Sequence, residues 1–319
     1  MIRVLTRIPH PTDGVSMYRG FGPLGHLRRI MDIEFQQLNE FNWAVLSQAQ
    51  ILYMVRPATD HDVSLVKMAK KCRVPVWIDY DDHILSIPKS NPSYPFYAKE
   101  SHQNNIKWLI HNADMVTASV DYLRDELQKY RFTSSIVTVP NAFPSHMLYW
   151  DEPLIPRKPI ISWRGSRTHD KDLSLAHEFY RATQKSLVNW QFHFFGEIDY
   201  QTQDIFEPGR AVIHPYSDVI DYMHEFHKSG TSLHLIPLED NPFNRSKSNI
   251  AWIEASWAGA ACIAPDFPEF QKPGITHFGK DSPTNPDDLV KLSRDYIREN
   301  LMIEDVNLTR VEIINHLIG

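Results

Sequence analysis

The stretch Phe243–Asp266, FNRSKSNIAWIEASWAGAACIAPD, decides how this chain is read. A polar, basic run (Arg245, Ser246, Lys247, Ser248) leads straight into a helical pattern, NIAWIEASWAGA, whose one acid is Glu254. Small residues, Gly259 and a short apolar run follow. Loop, helix, glycine and buried strand in that order make the second half of a β-α-β crossover, the repeating unit of a parallel sheet. Cationic side chains at a helix start, beside its bare N–H groups, attract an anion. Glu254 stands one turn from Ile250 and Ala258, on a face otherwise apolar and small. Its carboxylate can accept hydrogen bonds from two adjacent hydroxyls; a surface ion pair is the plainer reading. As an acid facing a cleft, it is not expected to support a core.

Working outward, the same alternation fills both halves of the chain. IRVLT reads as a strand, followed by a long loop and a helix opening near GPLGHLRRIM. ILYMVRP, VPVWIDYDD, DMVTAS and SIVTVPN read as further strands, with DHDVSLVKMAKKC, ESHQNNIKWLIHN and VDYLRDELQKY as the helices between them. Val- and Ile-rich runs separated by helices of this length imply a parallel sheet covered on both faces. The pattern breaks at the proline-rich PSHMLYWDEPLIPRKP, the expected linker, and restarts at PIISWRG with WQFHFFG, AVIHP and SLHLIPL. The fold class expected is α/β, with two Rossmann-like, doubly wound domains facing across a cleft. The expected divisions are 1–150, 151–300 and a terminal helix over 301–319 that returns to the first domain.

The bulk composition fits this picture. A chain of 319 residues with 42% apolar and 23% charged residues can bury two cores. A net charge of -6 argues against general coating of nucleic acid. Cys72 and Cys262 are far apart and form neither a disulfide framework nor a metal-ligand spacing. MIRVLTRIPHP carries no long apolar signal region and no run is long enough to span a bilayer, so a cytoplasmic, reducing location is expected.

Ligands of open parallel sheets bind beyond the carboxyl ends of the strands, which singles out particular loops. HPTDGVSMYRGFGPLGH follows the first strand and holds Gly14, Gly20, Gly22 and Gly25; Gly22, before the helix, is the binding candidate. In IDYDDHILSIP, Asp79, Asp81, Asp82 and His83 leave a buried strand. Three close acids suit a divalent cation, but a cage needs more converging oxygens, so hydrogen bonding to a sugar or acceptor hydroxyl is favoured and no metal is expected. Asp81, Asp82 and His83 are the candidates for the reacting end. In SWRGSRTHDKDL, Arg164, Arg167 and Lys171 flank Gly165 and Ser166 at a helix start, a pattern suited to a diphosphate. Arg245, Lys247, Ser248 and Glu254 complete the binding set.

These residues together resemble the GT-B glycosyltransferases, in particular the retaining group often called family four or group 1. The resemblance rests on PLEDNPFNRSKSNIAWIEASWAGAACIAPD and is supported by VWIDYDDHILSIPKSNP, ADMVTASVDYLRDEL with IVTVPNAF, and ISWRGSRTHDKDL. It implies a nucleotide-sugar donor as co-substrate rather than a cofactor, a hydroxyl acceptor such as a glycan, and transfer with retention and without a bound metal. By the same resemblance Glu254 holds the donor ribose, Arg167 and Lys171 neutralise the leaving diphosphate, and Lys247 assists. Two departures stand out. The family's second glutamate is replaced by Ser246, and the proline after the glycine is missing from GAACIAP. Two other functions are compatible with the residues: transfer to DNA bearing hydroxymethylated pyrimidines, and nucleotide-sugar binding without catalysis.

Overall fold

Strands in which almost every side chain is apolar are stable only between two covering layers, and the computed structural model places them there. It describes residues 1–8, 13–38, 42–132, 134–280 and 285–319. Strands β1 (Ile2–Arg7), β2 (Ile33–Gln37), β3 (Ile51–Val55), β4 (Val76–Tyr80), β5 (Met115–Ala118) and β6 (Val137–Thr138) form one sheet in the order β2-β1-β3-β4-β5-β6. Strands β7 (Ile160–Gly165), β8 (Gln191–Gly196), β9 (Ala211–His214), β10 (Leu233–Leu235), β11 (Ala261–Ala264) and β12 (Ile275–His277) form a second, in the order β12-β11-β10-β7-β8-β9. The pairings in both sheets are parallel. All residues of β3 and β4 are buried, as two-sided cover requires.

Each sheet reverses its strand order once. In the first the reversal falls between β1 and β3; in the second it falls between β7 and β10. Crossover helices leave to opposite faces at such a point and open a crevice at the carboxyl edge. Two strands lie outside the sequence expectation, β2 and β12. β2 reads IEFQQ and only Ile33 in it is fully buried, because an edge strand needs little apolar surface. The long loop expected after β1 is also shorter than its sequence suggests. A π-helical turn, Ser16–Phe21, runs directly into the helix Gly22–Ile30.

The chain crosses between the sheets twice, side by side. Phe143 N–H donates to the Leu301 carbonyl at 2.8 Å, and Ile303 N–H donates to the Phe143 carbonyl at 3.1 Å. The proline-rich stretch before β7 has no helix or strand, and its Leu148 and Trp150 belong to the core of the second sheet. The last helix, Ile303–Ile318, packs Ile303, Val306, Ile313 and Ile314 against Leu24, Leu27, Tyr53 and Trp77 of the first sheet's layer. Asn307 fixes it there by donating to the Pro23 carbonyl at 2.9 Å. No helix among the described residues is long and apolar enough to cross a membrane.

Candidate functional site

The carboxyl edges of the two sheets face each other across a cleft of about 460 Å³. Its wall on the second sheet begins with two glycines. Gly165 ends β7 directly opposite Gly196, which ends β8 with φ +114, and a Cβ on Gly196 would lie 2.0 Å from the Gly165 carbonyl oxygen. Only glycine fits at Gly196, so the backbone of both strand ends stands bare toward the cleft. Arg164 precedes this pair and keeps 26% of its side chain exposed.

Glu254, on the helix Ile250–Trp257, is the hub of the wall. It is 3% exposed. Tyr18 of the first domain donates to its Oε1 at 2.9 Å, and Tyr222 donates to its Oε2 at 3.1 Å. Arg164 Nε lies 2.9 Å from Oε2, yet this N–H is not aligned on any acceptor. Burial and the adjacent Glu254 carboxylate push both tyrosine hydroxyls well above their ordinary range. They therefore stay neutral donors. This corrects the expectation that Glu254 supports no structure: it is buried and ties the two domains together through Tyr18.

The facing wall comes from the first sheet. Arg56 follows β3 with φ +50, a left-handed conformation uncommon for a residue with a Cβ. Asp81 and Asp82 fix its side chain: the guanidinium donates to both Asp81 oxygens and to Asp82 Oδ2. Lys247 reaches across from the second domain, its Nζ 3.1 Å from Asp82 Oδ1. Burial would raise the Asp82 carboxyl, but Lys247 and Arg56 outweigh it and bring the pKa down to about 2. Asp81, with Arg56 against burial and the neighbouring Asp82 charge, is raised. Asn141 closes the contact by donating to Ser248 Oγ at 2.8 Å.

The sequence candidates therefore separate into two groups. Asp81, Asp82, Arg164, Gly165, Ser166, Lys247, Ser248 and Glu254 all line the cleft. The others stand elsewhere. Arg167 is 63% exposed and pairs with Asp170, and Lys171 is 56% exposed and pairs with Glu239. Arg245 is held by Asp240 on the surface and lies over the Phe267 ring. Gly22 packs rather than cradles, since a Cβ there would meet the Met17 carbonyl oxygen at 2.2 Å. His83 is 3% exposed behind the wall, with Nδ1 buried and without a hydrogen bond; burial lowers its pKa. Asp79 turns away from Asp81 and Asp82 altogether, into a two-bond pair with Arg19 at 2.6 and 2.7 Å. Ser246, at the position of the family's second glutamate, is fully buried and donates to the Pro242 carbonyl. His10 to Thr12 of the glycine-bearing loop lie outside the described residues.

Sequence reading missed Asp13, Tyr18, Arg56, Asn141, His169, Gly196, Tyr216 and Tyr222, all in the cleft wall. Arg56 and Gly196 were accessible to the strand-end rule, as the first residue after ILYMV and the last of WQFHFFG. Tyr222 and Asn141 carry no local signal, because only the tertiary fold brings them to the cleft.

Comparison with known proteins places this geometry in a fold. No protein-family model matches the chain, and no curated protein matches it. Solved structures do. Anabaena HepE in complex with UDP and glucose superposes with a TM-score of 0.63 at 10% identity, covering 99% of this chain and 100% of that one. A glycosyltransferase from Rickettsia africae ESF-5 gives 0.61 at 13% identity, over 100% and 99%. TarM gives 0.59 at 12% identity over 83% of this chain, which spans 54% of TarM's length. The architecture is GT-B: two Rossmann-like α/β domains across a cleft.

Proposed function

We propose that this protein is a glycosyltransferase that moves a sugar from a nucleoside diphosphate donor to an acceptor hydroxyl. The observation that carries the reading is the juxtaposition of Arg164, Lys247 and Glu254 at the bare glycine edge of the second sheet. A departing diphosphate develops negative charge, and preorganised cations in a partly dry cleft stabilise it more than water does. Arg164 has its guanidinium in the cleft and an N–H without an aligned acceptor. Lys247 is paired to Asp82 in this state, so the diphosphate would take it over from that carboxylate. HepE, of the same fold, is described in complex with UDP and glucose.

Glu254 as a ribose anchor fits this reading on one condition. A carboxylate offers about four lone-pair directions, and Tyr18, Tyr222 and Arg164 already approach it. Ribose hydroxyls would replace tyrosine hydroxyls, so donor binding and the Tyr18 contact between domains would compete. Transfer without a metal is part of the proposal, because the cleft acids Asp81 and Asp82 are engaged by Arg56 and Lys247. Retention of configuration is proposed on the family resemblance.

The test is a donor screen that reads released nucleoside diphosphate, with and without acceptors, in buffer containing EDTA. Turnover with at least one donor, unchanged by chelation, is expected. Loss of turnover in EDTA with recovery on manganese or magnesium would overturn the metal-free part. A donor that binds but is never turned over with any acceptor would favour the binding-only reading.

A further inference from the structure

The loop after β7 sends its side chains two ways. Arg167 and Lys171 lie on the surface against Asp170 and Glu239, whereas His169, between them, lines the cleft with Gly165, Ser166 and Lys247. The loop is pinned at that point. His169 N–H donates to the Ser166 carbonyl at 2.9 Å, and Asn91 of the first domain donates to the Thr168 carbonyl at 3.4 Å. The His169 ring, 21% exposed, is held from behind by Asp172, with Nδ1 2.9 Å from Asp172 Oδ2. Asp172 is itself 6% exposed, and its Oδ1 accepts the Glu239 N–H at 2.8 Å and an Asn244 side-chain N–H at 2.7 Å. A carboxylate only accepts, so Nδ1 carries the ring hydrogen and Nε2 is left for what the cleft holds.

We propose that His169 is a proton-gated ligand of the donor diphosphate: as the donor binds, Nε2 takes a proton from solvent and gives that N–H to a phosphate oxygen, with Asp172 as the positioning residue behind it. This rests on the transfer reading above. A neutral ring in the Nδ1–H form turns a lone pair toward the diphosphate and repels it. The imidazolium donates instead, in a charge-assisted bond. The surroundings set both states. Burial, with Lys247 and Arg164 close by, outweighs Asp172 and holds the His169 pKa below its ordinary value, so the ring is neutral at pH 7. Asp82, the acid facing it from the first domain, is ionised there and already paired with Lys247. A diphosphate beside Lys247 and Arg164 adds negative charge next to the ring and favours its charged form.

The loop thereby keeps a phosphate ligand although its two permanent cations are turned outward. The proton returns to solvent when the nucleotide leaves, so nothing is consumed. Because the complex holds more protons than its separate parts, donor affinity should rise as pH falls through neutrality, by up to about tenfold per pH unit. A site built only from arginine and lysine would show no such slope.

The experiment is titration calorimetry of UDP-glucose and GDP-glucose against the full chain, near pH 7, in buffers of differing ionisation enthalpy. Both probes are diphosphate diesters that do not titrate near neutrality, so any proton exchanged belongs to the protein. Binding should take up about half a proton or more, a result that needs no variant to fold. His169→Gln should bind without uptake and with a flat pH profile. Asp172→Asn should also bind without uptake: its carbonyl stays with the two N–H donors, its amide faces Nδ1, and the ring hydrogen moves to Nε2. If a nucleotide sugar binds the parent with no proton taken up, or His169→Gln takes up as much as the parent, the assignment of His169 falls and the transfer reading stands. If Asp172→Asn keeps the parent's uptake, its positioning role falls. If neither nucleotide sugar binds, the transfer reading falls and takes the assignment with it.

Discussion

Two arginine–carboxylate pairs stand near the cleft and could hardly be used more differently. Arg19 and Asp79 are each 1% exposed and joined by two aligned bonds. Arg19 also donates to the Val139 carbonyl and Asn141, and Thr117 donates to Asp79. Arg164 and Glu254 form the other pair, with Arg164 26% exposed and its Nε–H unaligned. The first pair is closed: its hydrogen-bonding capacity is spent on protein, and it fixes the π-helical turn to the sheet. The second is open on one side and shares its acid with tyrosines of both domains. A saturated pair is architecture; the unsaturated one in the cleft is where the proposed function places the nucleotide.

Breaking the closed pair should produce the largest effect. Arg19→Met leaves Asp79 buried without its partner, and such losses cost about 3–5 kcal/mol. Chemical denaturation should show that fall in stability, with unfolding of the first domain ahead of the second. Glu254→Ala comes next. It strips Tyr18 and Tyr222 of their acceptor and leaves Arg164 uncompensated, and a loss of about 1–3 kcal/mol is expected. Tyr18→Phe, which removes one hydrogen bond and leaves the acid two partners, should cost about 1 kcal/mol.

The pH dependence sharpens the same contrast from the opposite wall. Asp82 titrates near 2 in the folded protein, against an ordinary carboxyl near 3.8, because Lys247 and Arg56 outweigh its burial. Its folded pKa is depressed, so the stability it contributes is fully present above about 4 and is lost as pH falls toward 2. Lys247→Met should remove part of that acid sensitivity, read as a smaller drop in melting temperature between pH 4 and pH 2.

The smallest effects should come from the exposed cations. Arg167→Ala and Lys171→Ala break pairs that are more than half exposed on the basic side, and such pairs contribute about 0–1 kcal/mol. Neither variant should change nucleotide affinity measurably. A tenfold loss in either would show that the loop Ser166–Lys171 rearranges to bring these side chains into the cleft.

The sequence made the sheets legible because buried parallel strands leave unmistakable apolar runs, as in ILYMV and VWIDY. It left β2 out because half of IEFQQ faces solvent. Arg164 and Gly165, chosen at a strand end, and Lys247 and Glu254, chosen at a helix start, do line the cleft. Residue type alone did not give direction. Arg167, Lys171 and Arg245 have the chemistry of phosphate ligands, but local acids Asp170, Glu239 and Asp240 take them outward. The cluster Asp79, Asp81 and Asp82 looked like one group; alternation along the strand sends Asp79 to Arg19, while the turn beyond it delivers the other two to Arg56. Pairing partners of that kind come from distant segments, and no local pattern announces them.

The central claim is that the open pair is a nucleotide site, and titration calorimetry of UDP and GDP against the parent and Arg164→Met tests it most directly. One nucleotide should bind the parent, and Arg164→Met should weaken it about tenfold or more, the worth of a charge-assisted contact of roughly 1.5–3 kcal/mol. Equal affinity of parent and variant, or no binding of either nucleotide at millimolar concentration, would contradict the account.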